Sequence, residues 1–456
     1  MNKPDTRDLS LPCIITAVAR LLSPSNPVSF PVIRLFLILP FLILLLAAGA
    51  ASADQYHYTN ALIGDRASGM GTAYTAVADD ATGLYYNPAG IVYASGKNIS
   101  ASVNAYYGFV KSYKGVIGGK DWDRKSSALL PNYFGVVQPL GKFKIGFSYA
   151  VPDTIREDQD QVFTQPNASV DRFVIDFNNE DNTYNFGPSI AMEFRDDLAI
   201  GATLYFHQRR NQMIMNQMLN MSDGTNQWTL QYFETNEKGL KPILGVMWSP
   251  IKKLSLGATL SKTILYDAVS TGQSFCSNSS AGGCDNDPAT VDPFYPTLAY
   301  AVPGMTNEKK KYPNVITLGA AYFASDELLI SGDIKYYSKV TDAYWGNKEA
   351  VMNLSVGAEY FVNSGTAVRA GLFTDMANTP DVVSGGFGQA EHVDLYGISA
   401  SISSFTKNTS VSLGGSYFIG DGKAQIAGTD PLTGIQPVQS VEATGWTLFL
   451  SSSYSY

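Results

Sequence analysis

Past residue 50 the chain holds no apolar run approaching the roughly 20 residues that a membrane-spanning helix requires, which excludes a helical membrane protein. Charge is scarce too: 16% of residues are charged, against about 25% in ordinary soluble domains. The 32 Lys and Arg are outnumbered by 40 Asp and Glu, a net charge of −8, so no basic field exists to draw nucleic acid. Histidine is limited to His57, His207 and His392, too scattered for zinc spacing or a Ser–His pair. No G-x-S-x-G occurs, which leaves a hydrolase elbow unsupported. The strings around Gly96-Lys97 and Gly141-Lys142 lack the spacing and the Ser/Thr of a phosphate loop. Gly69-Met70-Gly71 lacks the third glycine of a dinucleotide fingerprint. The expectation is a protein that is not an enzyme and carries no cofactor and no metal. A surface lipase or protease using His207 or His392 is the enzymatic rival.

What is present is aromatic and glycine-rich: 456 residues with 27 Tyr, 23 Phe, 5 Trp and 41 Gly. A chain of this length buries a large core, and its low charge and many aromatics argue against disorder. This is the composition of a β protein.

Residues 1–53 read as an address. The stretch 35–50 (LFLILPFLILLLAAGA) is continuously apolar, follows Arg20 and Arg34, and leads into Ala51-Ser52-Ala53, an A-x-A site for a signal peptidase. A membrane anchor is the competing reading, but the run is short, contains Pro40 and ends in small residues. The leader before the apolar run is long for an n-region, as if translation began downstream. Cleavage removes Cys13 and leaves Cys276 and Cys284. Two cysteines eight positions apart in a Ser/Gly/Asn/Asp-rich segment read as a disulfide closing a surface loop in an oxidising compartment. A metal pair is the sharper alternative, with no His or further Cys nearby.

Beyond the leader, segments alternate with the period of a β-strand. In 143–151, Phe143, Ile145, Phe147, Tyr149 and Val151 oppose Lys144, Gly146, Ser148 and Ala150. In 353–362, Leu354, Val356, Ala358, Tyr360 and Val362 oppose Asn353, Ser355, Gly357 and Glu359. Fourteen such strands are expected, near 98–110, 128–138, 141–152, 183–195, 198–216, 228–249, 253–266, 312–324, 327–340, 350–362, 366–376, 391–403, 408–419 and 442–456. A soluble sandwich could alternate in the same way. The connections decide: tight turns such as Pro139-Leu140, Asp196-Asp197 and Ser325-Asp326 take turns with long polar stretches such as 153–182, 267–311, 377–390 and 420–441. Short turns at one end and long loops at the other belong to bacterial outer-membrane barrels. The last strand, through Trp446, Leu448, Leu450, Ser452 and Tyr454, ends on the aromatic Tyr456, like the terminal signal of exported barrels. Closure is what lipid demands of a sheet, because it pairs every backbone N–H and C=O. The fold class is therefore all-β: a 14-stranded antiparallel transmembrane β-barrel over 98–456, too wide for side chains alone to fill.

Residues 54–97 do not alternate. They are rich in small residues, with helical patches around 66–78, and suit a compact, mostly helical plug inside the lumen. Three strings here carry a resemblance: Gly69-Met70-Gly71-Thr72-Ala73-Tyr74-Thr75-Ala76, Asp79-Asp80-Ala81-Thr82, and Tyr86-Asn87-Pro88-Ala89-Gly90. The segment resembles the N-terminal hatch of the FadL/TodX/OmpP1 family of outer-membrane transporters for long-chain fatty acids and other hydrophobic compounds. Leu130-Pro131-Asn132, the run from Val136 to Gly141, and Val151-Pro152 are also similar to that family's second and third strands.

The resemblance implies passive transport of hydrophobic small molecules, most readily long-chain fatty acids, with aromatic hydrocarbons as the alternative cargo. It further implies capture by extracellular loops, luminal binding, hatch rearrangement and lateral release near a kinked third strand. That strand maps loosely onto 141–152, where Gly146 and Pro152 are candidate irregularities. The location implied is the bacterial outer membrane, multi-pass, with lipid and lipopolysaccharide as partners and the chain taken as a monomer.

Asn87, Pro88 and Ala89 match the hatch signature. Pro88 fixes φ and Asn87 bonds neighbouring backbone or a ligand, so the stretch suits a gate; a plain turn capping a hatch helix is the simpler reading. By alternation Lys335, Arg369, Glu193, Glu359 and Arg209 point inward. An inward Arg369 or Lys335 could hold a carboxylate headgroup through a charge-assisted bond, or merely join a solvated luminal network. The run Lys309-Lys310-Lys311 reads as a contact with lipopolysaccharide phosphates or solvent, and Tyr149, Trp248, Tyr336 and Tyr360 as interfacial girdle. A structural or adhesive surface barrel and a general polar-solute porin are the readings from other classes.

Overall fold

Alternation in the sequence becomes strand in the structure, a computed structural model that describes residues 56–59, 61–168, 170–278, 297–302, 308–386, 389–426 and 437–455. The leader 1–53 and Cys284 lie outside the described residues, and with them the expected cleavage and the Cys276–Cys284 disulfide. The strands are β1 (Asn98–Ile117), β2 (Lys120–Leu140), β3 (Phe143–Asn167), β4 (Val170–Arg195), β5 (Leu198–Met221), β6 (Asn226–Ile251), β7 (Leu254–Lys262) and β8 (Ile264–Asn278). They continue as β9 (Thr297–Val302), β10 (Asn314–Phe323), β11 (Leu328–Tyr337), β12 (Val351–Asn363), β13 (Thr366–Asp375), β14 (His392–Phe405), β15 (Thr409–Ala424) and β16 (Gln439–Ser455).

β6 pairs with β7 along one half and with β8 along the other, so β7 and β8 are two halves of one barrel strand interrupted at Thr263. Among the described residues β9 pairs with β8 alone. β5 pairs with β6, and β1 with β16, which closes an antiparallel barrel of fourteen strands.

The outward residues form an apolar belt: Phe186 and Ile190 on β4, Leu204 and Phe206 on β5, Leu318 on β10, Ile334 on β11, Leu354 and Val356 on β12, and Leu448 and Leu450 on β16 are all exposed. Exposed leucines, isoleucines and phenylalanines around a whole barrel are tolerable only against lipid. Trp248, Tyr336 and Tyr360 lie on the same outward face, at 42%, 43% and 42% exposure.

The stretch 153–182 is not a loop. β3 runs 25 residues and β4 runs 26, where a tilted membrane strand needs about 9–11. Their upper halves continue the sheet beyond the belt. Outward residues there turn polar (Asp176, Asn178, Glu180, Asn182), while Phe163, Ile175 and Phe177 pack inward with Trp122, Met213 and Met215. The expectation of a loop fails because many polar residues mask a period-2 pattern whose large apolar positions are sparse and mostly on the inner side.

The leading segment fills the lumen. Its helical structure is short: α1 (Asp65–Gly69), α2 (Gly83–Tyr86) and a 3-10 turn over Pro88–Tyr93. α1 stops where Gly71 and Thr72 take φ +62° and +69°, left-handed values that end a helix. Ile63, Met70, Tyr74, Ala76, Val77 and Ala89 of this plug form one buried cluster with Tyr133, Ala150, Ala199, Met247 and Ala321 of the wall.

Glycines set the seat. Gly201 pairs with Gly245, Gly257 with Gly319 and Gly357 with Gly371 across neighbouring strands, all facing the plug. A Cβ on Gly201 or Gly245 would collide with Pro88, on Gly257 or Gly319 with Thr75, and on Gly357 or Gly371 with Met70. These pairs let plug backbone lie directly on wall backbone, a close approach that only glycine permits.

Replacing Gly371 with Leu would drive a branched side chain into the Met70-Gly71 backbone. The expected outcome is a displaced plug, measured as a rise in ion conductance across planar bilayers, with the folded barrel's heat-modifiable gel mobility retained. Conductance equal to that of the parent protein would show that the glycine pairs do not set the seat.

Candidate functional site

The plug is tied to the wall by charge as well as by shape. The Arg66 Nε donates to Glu359 Oε1 at 3.0 Å and its Nη2 to Glu359 Oε2 at 2.6 Å. Arg369 Nε donates to the same carboxylate at 2.7 Å and its guanidinium also reaches Ser403. Arg66 pairs in addition with Asp79. One carboxylate on β12 therefore holds two guanidiniums, one from α1 and one from β13, with Glu359 1% exposed. Burial works against the charged Arg66, but Asp79 and Glu359 outweigh it and keep the guanidinium firmly protonated.

Backbone donors of the plug are answered by wall side chains. Tyr74 N and Thr75 N both donate to Asp333 Oδ2, at 3.0 and 2.9 Å. Gly71 N donates to Ser399 Oγ at 3.0 Å, and Thr203 Oγ1 donates to Leu84 O at 2.8 Å. These irregular turns have no internal ladder, so the barrel wall supplies the partners that buried backbone groups require. Burial pushes the Tyr74 phenol well up and, with Arg66 opposing, raises the Asp80 carboxyl.

Asn87 is fully buried. Its Nδ2 donates to Thr75 O at 2.8 Å and to Val246 O of β6 at 3.0 Å, and its Oδ1 accepts from Ala89 N at 3.1 Å. One side chain thus joins two parts of the plug to the wall, and Pro88 opens the 3-10 turn beside it. The bonds are those of a cap and a tether.

Between the plug and the wall lies a cavity of about 190 Å³. His57, Tyr58, Tyr85 and Tyr86 line it from the plug. His207 of β5, Lys241 of β6, Lys335 and Tyr337 of β11, and Lys310 and Tyr312 of the segment before β10 line it from the wall. Tyr58 stacks on Tyr337 with ring centroids 4.1 Å apart. Lys241, Lys310 and Lys335 form no ion pair or hydrogen bond among the described residues; Lys241 lies 5.5 Å from the Tyr85 ring centre and Lys310 5.5 Å from that of Tyr312. Burial, with Arg209 nearby, pushes the Lys310 ammonium below its ordinary value.

The five residues expected to face inward are dispersed. Lys335 lines the cavity; Arg369 and Glu359 belong to the plug clamp; Glu193 sits exposed near the short-turn rim. Arg209 donates to Asp181 at 2.9 Å and to Glu237 at 3.0 Å. Of the run read as a surface contact, Lys310 and Lys311 line the cavity. Lys241 escapes a search for motifs, although alternation with Leu240, Pro242 and Leu244 places it on the inner face.

The wall is interrupted beside the cavity. The β2–β3 ladder stops between Tyr133/Ala150 and Ser126/Glu157, and β3 bulges against β4 between Ala150 and Asp153. Pro152 lies in this break and, with Asp153, lines the cavity; it cannot donate to a ladder. The plug spans the gap: Ala61 N donates to Pro152 O at 3.1 Å, and Asn132 Nδ2 of β2 donates to Leu62 O at 2.8 Å. Gly146, by contrast, stays paired and lies under Leu84.

Comparison with known proteins agrees with this geometry. The model of the outer membrane protein transport family (OMPP1/FadL/TodX) matches residues 45–384. The crystal structure of a Pseudomonas aeruginosa FadL homologue superimposes with a TM-score of 0.60 at 14% identity, covering 89% of this chain and 100% of that one. The Pseudomonas putida toluene transporter TodX gives 0.56 at 12% identity, covering 87% and 99%. The CymD monoaromatic hydrocarbon channel gives 0.54 at 13%, covering 86% and 97%. At such identities the solved structures establish the fold. No curated protein sequence matches the chain.

Glu359→Gln would leave Arg66 and Arg369 buried and facing each other. Breaking a buried pair in this way costs about 3–5 kcal/mol, so α1 is expected to leave its seat. Limited trypsin digestion of the purified protein should then cut after Arg66, a bond that the parent protein protects. Equal protection in both proteins would show that the clamp does not hold the plug.

Proposed function

This chain belongs to the OMPP1/FadL/TodX family of outer membrane transport proteins, and we propose that, within that family's transport of hydrophobic compounds, its cargo is carboxylate-bearing, long-chain fatty acids above all. The observation that carries this reading is the set of three partly buried ammoniums, Lys241, Lys310 and Lys335, that line one cavity without an ion-pair partner among the described residues. Partly buried cations cost solvation, and an anion that enters with an apolar tail repays it through charge-assisted hydrogen bonds. The tyrosines of the cavity offer aromatic edges and faces to the tail. Aromatic hydrocarbons are the second reading, favoured by those same rings and by the fold shared with TodX and CymD; they leave the lysines without a role.

Passage is by diffusion down a gradient. Cargo reaches the cavity from the extracellular side and leaves through the break between β2 and β3 once the Ala61-Leu62 stretch moves aside. Asn87, Pro88 and Ala89 act as the hinge of that movement, because the Asn87 side chain joins Thr75, Ala89 and β6. Arg369 serves by keeping α1 in place through Glu359, and Lys335 contributes directly to headgroup binding.

Exchanging Lys241, Lys310 and Lys335 together for Met is expected to cut oleate uptake at least tenfold in cells that depend on this protein, while toluene accumulation stays level. Oleate uptake that survives the triple exchange would refute the carboxylate reading. Replacing Asn87-Pro88-Ala89 by three alanines should lower uptake of a hydrophobic tracer while the barrel's heat stability holds; unchanged uptake would remove the hinge from the account.

A further inference from the structure

His207 is 4% exposed and forms part of the cavity wall, on the strand next to Lys241. Its Nδ1 lies 3.0 Å from Asn185 Oδ1. A carbonyl oxygen only accepts, so Nδ1 carries the proton and Nε2 is left with a bare lone pair. That Nε2 is buried and has no hydrogen-bond partner among the described residues. Native structures rarely leave a buried acceptor in this state, and each such atom calls for an explanation.

The neighbours cannot supply the missing donor. The Tyr312 ring stands edge-on, its centre 5.5 Å from that of His207, but its hydroxyl already donates to Glu237 Oε2 at 2.5 Å. Arg209 spends its guanidinium on Asp181 and Glu237. Among the described residues the partly buried ammoniums of Lys241, Lys310 and Lys335 remain unpaired on this wall, and the carboxylate reading assigns them to cargo. His207 pairs with Gly239 across the β5–β6 ladder, and Lys241 stands two residues along on the same face, a diagonal separation of about 7–8 Å between backbones.

We propose that the cavity selects carboxylates that carry a hydroxyl group on the first or second carbon beyond the carboxylate, with His207 Nε2 accepting the hydroxyl's hydrogen bond while Lys241 and Lys310 hold the carboxylate. The class is that of 2- and 3-hydroxyalkanoates. The inference rests on the carboxylate reading of this cavity and narrows it. A site built to pair a substrate hydroxyl discriminates against the analogue that lacks it, because the buried acceptor is then left unanswered.

The test is calorimetric titration of the purified full-length protein in detergent with 3-hydroxydecanoate and with decanoate. The parent protein should bind the hydroxy acid roughly threefold to tenfold more tightly, the range of one net hydrogen bond. His207→Phe should bring the two affinities together. His207→Gln, which can present an amide oxygen, should restore part of the difference. Equal affinities in the parent protein, or a preference that survives His207→Phe, would overturn the proposal while leaving the carboxylate reading intact. Failure of the parent protein to bind either acid would overturn both.

Discussion

Every backbone N–H and C=O that enters a bilayer must find its partner inside the protein, since hydrocarbon offers none. A sheet meets that demand only by closing, and here β1 closes on β16 while β5, β6 and the paired halves β7 and β8 carry the ladder across the remaining seam. Closure with fourteen strands leaves a lumen too wide for side chains to fill. The leading segment exists in its observed form because of that surplus width.

A plug of short turns carries many unpaired backbone groups of its own. The wall answers them with Asp333, Ser399 and Thr203, and glycine pairs on the inner face allow the two backbones to touch. The clamp of Arg66, Glu359 and Arg369 adds a buried charge network, which is strong only while every member is present. Seat and clamp together fix 66–76, and Asn87 fixes the second half of the plug. Among the described residues the Ala61-Leu62 stretch bonds to the wall through Pro152 and Asn132, across the break. The plug is thus least tied to the wall at the place where the β2–β3 ladder is already interrupted.

The same surplus width creates the cavity. It lies where plug tyrosines and wall cations meet without filling the space, and its charge is unbalanced: Lys241, Lys310 and Lys335 stand unpaired among the described residues, whereas Arg209, Arg369 and Arg66 are saturated by carboxylates. Saturated cations hold the plug and wall together; the unsaturated ones face the cavity.

The sequence by itself determined the barrel. Period-2 alternation, tight turns at one end and a terminal aromatic strand are local features that survive without knowledge of neighbours, and the hatch strings carried the family resemblance. Alternation also places Arg209, Glu359, Arg369 and Lys335 on the inner face, because strand geometry alone fixes which side a residue occupies. Which inner residues meet was decided only by the tertiary structure. Pairing register across strands brings Gly201 opposite Gly245 and Gly357 opposite Gly371, sends Arg369 to Glu359, and leaves Lys241 without a carboxylate partner among the described residues. The polar run 153–182 reads as loop until its sparse apolar positions find Trp122, Met213 and Met215 on other strands. Contacts of this kind depend on separations of tens to hundreds of residues along the chain, which no local pattern encodes.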